Sequence, residues 1–149
     1  MVLYEILLAF NKIATPTKPI ILPLHPRTKN IITKNNNLQH ILQNNKNIII
    51  IEPVSFIDMI VLESTAHKIL TDSGGIQKEA YFHKTPCITL RDETEWVETI
   101  SSGWNQLAGC NHQRIIDCYN TTTQTTTIKE YGNGTTANQI VDIIWQKKY

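Results

Sequence analysis

Cysteine is scarce in this 149-residue sequence, and the three present, Cys87, Cys110 and Cys118, are odd in number and form no CxxC pair. That excludes a thiolate zinc site of ordinary spacing and a full disulfide framework, and it fits a reducing cytoplasm. An excess of charge of one sign is also lacking. A formal net charge of +1 with 18% charged residues gives no electrostatic ground for binding nucleic acid or anionic lipid, so any anionic ligand must be met by local groups. Long hydrophobic runs are missing too: the apolar start, Met1 to Phe10, is interrupted by Glu5 and followed by Lys12, and it is too short to cross a bilayer. What remains, with 41% hydrophobic residues, is a globular chain expected to fold as one domain over residues 1–149. Such a domain removes roughly two thirds of its chain's surface from water.

Leu3, Ile6, Leu7, Phe10 and Ile13 recur at helical spacing and predict an amphipathic helix ending near Pro16 and Pro19. Ile20 to Leu24 has no polar alternation, as expected of a parallel strand covered on both faces. The polar, Asn-rich stretch from Thr28 to Asn47 holds one short helix marked by Leu38, Ile41 and Leu42. Ile48 to Ile51 is a second strand. Ser55 is placed to cap a helix running to about Ala66, with Phe56, Met59 and Ile60, and Glu63 and Ser64, marking its two sides. Lys68 to Thr71 is a third strand, Ile76 to Phe82 a helix and Pro86 to Leu90 a fourth strand. Beyond these lie a short strand at Gln106 to Ala108, a helix at His112 to Tyr119, an exposed Thr-rich loop at Thr121 to Thr127, and a last helix at Asn138 to Trp145. That helix carries Ile140, Val141 and Ile144 on one face. Strands alternating with helix-length segments predict an α/β fold with a doubly wound parallel sheet. In such sheets ligands bind beyond the carboxyl ends of the strands, which singles out His25, Glu52 and Asp72.

The third of these ends reads Thr71-Asp72-Ser73-Gly74-Gly75-Ile76-Gln77-Lys78-Glu79. Two glycines at a strand-to-helix turn let the backbone approach a phosphate without a Cβ in the way, and the free amides of the helix start attract anions. Ser73 adds a hydroxyl. Glu79, one helical turn beyond Gly75, can accept hydrogen bonds from both hydroxyls of a ribose. The same spacing also serves a plain tight turn with Glu79 solvated, and it is not a P-loop, because no Gly-Lys-Ser or Gly-Lys-Thr follows. His25 reads either as a turn residue or, with Arg27, as a contact at the ligand cleft.

Thr71-Asp72-Ser73-Gly74-Gly75-Ile76-Gln77 with Glu79-Ala80, then Lys84-x-Pro86 and Arg91-Asp92-x-Thr94-Glu95, closely resembles the signature of the UDP-N-acetylglucosamine 2-epimerases. His25-Pro26-Arg27-Thr28, Glu52-Pro53 with Phe56, Gly103-x-Asn105 with Gly109, and Tyr131-Gly132-Asn133-Gly134 follow the same family order. The resemblance implies one Rossmann-like half, the C-terminal one, of a glycosyltransferase-B type architecture. It implies that Ser73, Gly74 and Gly75 hold the diphosphate and Glu79 the ribose, and that Val54 and Met59 lie along the uracil. No metal and no cofactor is implied.

The family reaction removes the proton at C2 of the sugar, expels UDP from C1 and reverses both on the opposite face. It therefore needs an acid and a base near C2 as well as stabilisation of the departing diphosphate. By resemblance the acidic groups lie in the N-terminal half, and the family's histidine, in an His-Arg pair, lies ahead of the position of Met1. His25 is not that residue, and no catalytic residue is assigned to this chain. Where many members have Arg-Pro after Thr-Glu, this sequence has Trp96-Val97. Thr-Glu-Trp is similar to a subgroup that includes enzymes of diacetamido uronic acid UDP-sugars. Three readings remain open at this point: the UDP-sugar binding half of an epimerase, either split into two polypeptides or represented here by a fragment of a longer gene product; a non-catalytic nucleotide-sugar binding module or decayed remnant; and a glycosyltransferase of similar architecture, against which the Asp72 and Arg91 motifs speak. An apolar patch is expected to associate the chain with a separate N-terminal half or with its own copies.

Overall fold

The computed structural model describes residues 2–146. Helix α1 (Val2–Ile13) buries Leu7, Ala9, Phe10 and Ile13, with Leu3 and Ile6 half-buried against the same core, so the expected face is the one that packs. Glu5, which breaks the apolar start, accepts a hydrogen bond from the His112 backbone N–H at 3.3 Å and sits 2.5 Å from the His112 ring at Nδ1. The hydrogen bond with the His112 ring, and then the one from its backbone N–H, hold the Glu5 carboxyl below the ordinary carboxylate range.

Strand β1 (Ile20–Pro23) is followed by two helices where the sequence predicts one, α2 (Pro26–Thr33) and α3 (Asn36–Gln43). The reason is local capping. His25 Nδ1 accepts from the Arg27 N–H at 3.2 Å with Pro26 at the first helical position, and Asn35 Oδ1 accepts from the N–H groups of Asn37 and Leu38 at 3.1 and 3.3 Å. Each cap satisfies amides that a new helix would otherwise leave open, so a polar run lacking strong periodicity still nucleates two helices. Leu38, Ile41 and Leu42 are buried from α3 as expected.

The remaining elements are β2 (Ile48–Ile51), α4 (Phe56–Thr65), β3 (Ile69–Thr71), α5 (Gly74–His83), β4 (Cys87–Thr89), α6 (Val97–Ser101), β5 (Asn105–Leu107), α7 (His112–Asn120) and α8 (Thr136–Gln146). Strand pairing is parallel throughout. The strands form two sheets, β1-β2 and β3-β4-β5, with no ladder joining β1 to β3. The expected α/β class and parallel pairing stand, while the sheet is split.

One core spans both sheets: Ile48 and Leu24, just past β1, from the first and Ile88 and Leu90, just past β4, from the second pack with α1, α3 and α7. Successive strand residues point to opposite faces. Ile88 enters that core while Cys87 packs with Ile69, Ala80 and Ile76 in a second cluster, so β4 is covered on both sides. Burial pushes the Cys87 thiol up to about 12. The expected Thr-rich loop is irregular, yet it is pinned: Trp104 Nε1 donates to the Thr126 carbonyl at 2.9 Å and Thr123 Oγ1 to the Gly103 carbonyl at 2.6 Å. Gly103 has φ +78, and a Cβ there would meet the Gln124 carbonyl oxygen at 2.1 Å, so the approach requires glycine.

Candidate functional site

Strand β3 ends in Thr71, whose buried hydroxyl accepts from the Ser73 N–H at 3.0 Å and bends the chain into α5. The helix begins at Gly74, two residues earlier than the sequence suggests, with Ser73 as its N-cap in extended conformation. Ser73 makes no side-chain capping bond, so its hydroxyl and the first amides of the helix are free to receive acceptors from a ligand. This is the arrangement that favours an anion. The space a Cβ on Gly75 would occupy lies 3.8 Å from both Ser73 Oγ and Glu79 Oε1. The hydroxyl, the open glycine and the carboxylate thus share one small surface.

Gly74 is different: a Cβ there would come within 2.4 Å of Glu95 Oε1 and 3.2 Å of Trp96 Nε1. The 92–96 loop therefore lies over the start of α5, and a buried polar network holds it there. Gln77 Oε1 accepts from Thr94 Oγ1 at 2.6 Å and from Asn105 Nδ2 at 3.1 Å. Asn105 Oδ1 accepts from Thr89 Oγ1 at 2.9 Å, and Asn105 Nδ2 also donates to Thr99 Oγ1 at 3.2 Å. Lys78 stacks its ammonium 4.2 Å from the centre of the Trp96 ring, while the Trp96 indole N–H is buried without a partner. Arg91 Nη1 is 3.5 Å from Glu95 Oε2. Gln77, Thr94 and Asn105 were legible as parts of the motif, but nothing in their spacing foretold that they bind one another.

The other expected residues fall at separate strand ends. His25 and Arg27 are exposed at the start of α2, where the His25 ring is a cap. Among the described residues no hydrogen bond or ion pair joins either one to the 73–79 turn. Val54 and Met59 are half-buried in and around the start of α4, which Ser55 caps by accepting from the Asp58 N–H at 3.2 Å. Lys29 pairs with Glu52, tying α2 to the end of β2. On α4, Phe56 is 69% exposed, Met59 and Ile60 are half-buried, Ser64 is exposed, and Glu63 is the residue it buries. A cavity of about 610 Å³ opens at the far end of α5 among Tyr81, Phe82, Trp104 and Tyr131, away from the glycine turn. Among the described residues no cluster of side chains is suited to a metal ion, and no helix is long and apolar enough to cross a membrane.

Comparison with known proteins places this geometry. A family model described as UDP-N-acetylglucosamine 2-epimerase matches residues 2–145. A UDP-N-acetylglucosamine 2-epimerase homolog of Methanococcus maripaludis is 43% identical over 137 residues, covering 90% of this chain and 38% of the relative. A UDP-2,3-diacetamido-2,3-dideoxy-D-glucuronate 2-epimerase of Pseudomonas aeruginosa is 37% identical over 145 residues, covering 95% of this chain and 39% of the relative. The solved UDP-GlcNAc 2-epimerase of Methanocaldococcus jannaschii superposes with a TM-score of 0.84 at 41% identity, over 97% of this chain and 41% of that one. Its complex with UDP-GlcNAc and UDP superposes with a TM-score of 0.71 at 42% identity, over 87% and 36%. The chain thus spans about two fifths of the length of the relatives it matches.

Proposed function

The chain belongs to the UDP-N-acetylglucosamine 2-epimerase family, and on that premise we propose that residues 1–149 form a single Rossmann-like domain that binds the UDP part of a UDP-sugar for a 2-epimerase. The observation that carries the reading is the start of α5, where an uncommitted Ser73 hydroxyl, an open Gly75 and the Glu79 carboxylate converge on free helix amides. The diphosphate accepts from Ser73 Oγ and from the Gly74 and Gly75 amides, and the ribose hydroxyls donate to Glu79. The uracil runs along Val54 and Met59, and His25 and Arg27 line the cleft further out. The helix terminus supplies the positive potential, so no metal is needed.

As the C1–O bond breaks, negative charge grows on the diphosphate, and donors fixed by a folded helix stabilise it without reorganising. Proton removal and return at C2 need a positioned base and acid, and we assign neither to this chain. They come from the N-terminal half of the architecture, as a separate polypeptide or as another part of a longer gene product. Three unpaired cysteines, one of them buried, suit the cytoplasm. Trp96, where an arginine is common, favours a second reading for the sugar alone, and a diacetamido glucuronate 2-epimerase stands at 37% identity beside UDP-N-acetylglucosamine 2-epimerases at 43%. In that reading the substrate is a diacetamido uronic acid nucleotide.

Titration calorimetry tests the core of the reading. UDP binds in preference to ADP, and a chelator leaves the affinity unchanged. Equal affinity for ADP, or loss of binding without magnesium, overturns it.

A further inference from the structure

Glu63, on the inner side of α4, is 3% exposed, and neither of its carboxylate oxygens has a hydrogen-bond partner. An ionised carboxylate buried without donors is costly. The groups that face it offer little relief. The Glu79 carboxylate approaches from α5, and His83 Nε2, also from α5, stands 3.9 Å away, beyond hydrogen-bond length. The Cys87 thiol faces it from β4. Thr85 Oγ1 donates to the Glu63 main-chain carbonyl at 2.9 Å, which fixes the backbone but leaves the carboxyl unsatisfied.

A carboxyl in the acid form is a donor as well as an acceptor, and this resolves the orphaned oxygens. We propose that Glu63 is a positioning residue for the ribose subsite: held as a neutral acid, it donates its O–H to the Glu79 carboxylate and keeps that carboxylate beside Gly75. The proposal rests on the reading that Glu79 takes the ribose. Burial and then the charge of Glu79 push the Glu63 carboxyl up to about 7, which puts its ionisation within an ordinary working range. When Glu63 loses its proton, both carboxylates are acceptors only and repel each other. Glu79 then leaves the place where it meets the ribose hydroxyls.

The test compares UDP with 2′,3′-dideoxy-UDP by calorimetry at about pH 6 and about pH 8.5. The ratio of the two affinities cancels the ionisation of the phosphate, which both ligands share. In the unmodified chain the advantage of UDP falls by about tenfold at the higher pH, the loss of one charge-assisted hydrogen bond. Glu63→Gln, whose amide donates without titrating, keeps the advantage at both pH values. Glu63→Leu loses it at both. An advantage that does not change with pH in the unmodified chain, or a Glu63→Gln variant that follows the unmodified pH dependence, overturns the role of Glu63 while leaving Glu79 in place. UDP and its dideoxy analogue binding equally at both pH values overturns the ribose reading of Glu79, and the proposal with it.

Discussion

The two sheets of this molecule are built from similar short apolar strands but are finished differently. In β3-β4-β5, Ile88 and Cys87 point to opposite faces and both are buried, at 0% and 2% exposure. In β1-β2, Ile48 is buried while Ile21 and Ile49 are 47% and 45% exposed, so the face they share is bare. Helix α4, with Phe56, Ile57 and Val61 more than half exposed, packs on α5 but leaves those side chains in water. No residue of α8 is buried. A strand of consecutive isoleucines such as β2 is suited to cover on both faces. The three-stranded sheet, which carries the glycine turn, is covered on both faces at β4, whereas among the described residues one face of the two-stranded sheet is left without cover.

The largest effect that sharpens this contrast is the pair Ile88→Ala and Ile49→Ala. The first opens a cavity in a face that is fully packed and costs about 2–5 kcal/mol. The second removes a side chain that already meets water and stays within about 0.5 kcal/mol. Urea unfolding of both variants checks it, and equal losses break the comparison. Next in size is Gln77→Ala, which leaves Asn105 Nδ2 and the Thr94 hydroxyl each short of an acceptor. It costs about 1–3 kcal/mol in stability and weakens UDP binding, because the 92–96 loop loses its tie to α5. Intact UDP affinity in this variant shows that the loop does not shape the site.

The strands and the glycine turn were legible in the sequence because their signals are local: runs of isoleucine, a Ser-Gly-Gly turn after an apolar run, and helical spacing in α1. The second helix in the 26–43 segment was not, because it depends on His25 and Asn35 as caps and not on periodicity. Helix α6 is five residues long with no side-chain cap, too short to leave a pattern. Glu63 was illegible for a different reason. A glutamate in a helix predicts an exposed side, and only the packing of α4 on α5 turns it inward against Glu79. The apolar face of α8, with Ile140, Val141 and Ile144, was read from spacing, but spacing cannot say what covers it.

The Glu63 carboxyl gives a pH-dependent effect on stability. Its value is raised in the folded chain, from 4.5 to about 7, so between those values the folded state holds more proton than the unfolded one. Stability therefore falls as pH rises through that window and levels above it. Thermal unfolding from about pH 4.5 to about pH 8 measures the slope, and Glu63→Gln flattens it. A slope that persists in the variant assigns it to another group.

The smallest effect on folding, and the sharpest test of what the bare surfaces are for, is expected at α8. Val141, Ile144 and Trp145 are 61%, 61% and 70% exposed, so replacing Ile144 with Asp and Trp145 with Ser removes no buried contact. Stability of the isolated chain should change by less than about 0.5 kcal/mol. Association is where the change should appear. A chain with this much apolar surface is expected to self-associate at high concentration, or to bind a separately expressed N-terminal half, because either one removes that surface from water. Sedimentation velocity of the unmodified chain should show species larger than a monomer, and the double variant should shift the distribution toward monomer. A monodisperse monomer at high concentration in the unmodified chain breaks the inference that the surface is an interface. Loss of stability in the variant breaks the comparison itself, since α8 would then pack against its own domain. Epimerase activity that appears only when the N-terminal half is added, and is lost in the variant, ties the same surface to catalysis: the acid and base that C2 requires then reach the substrate only when the two halves meet.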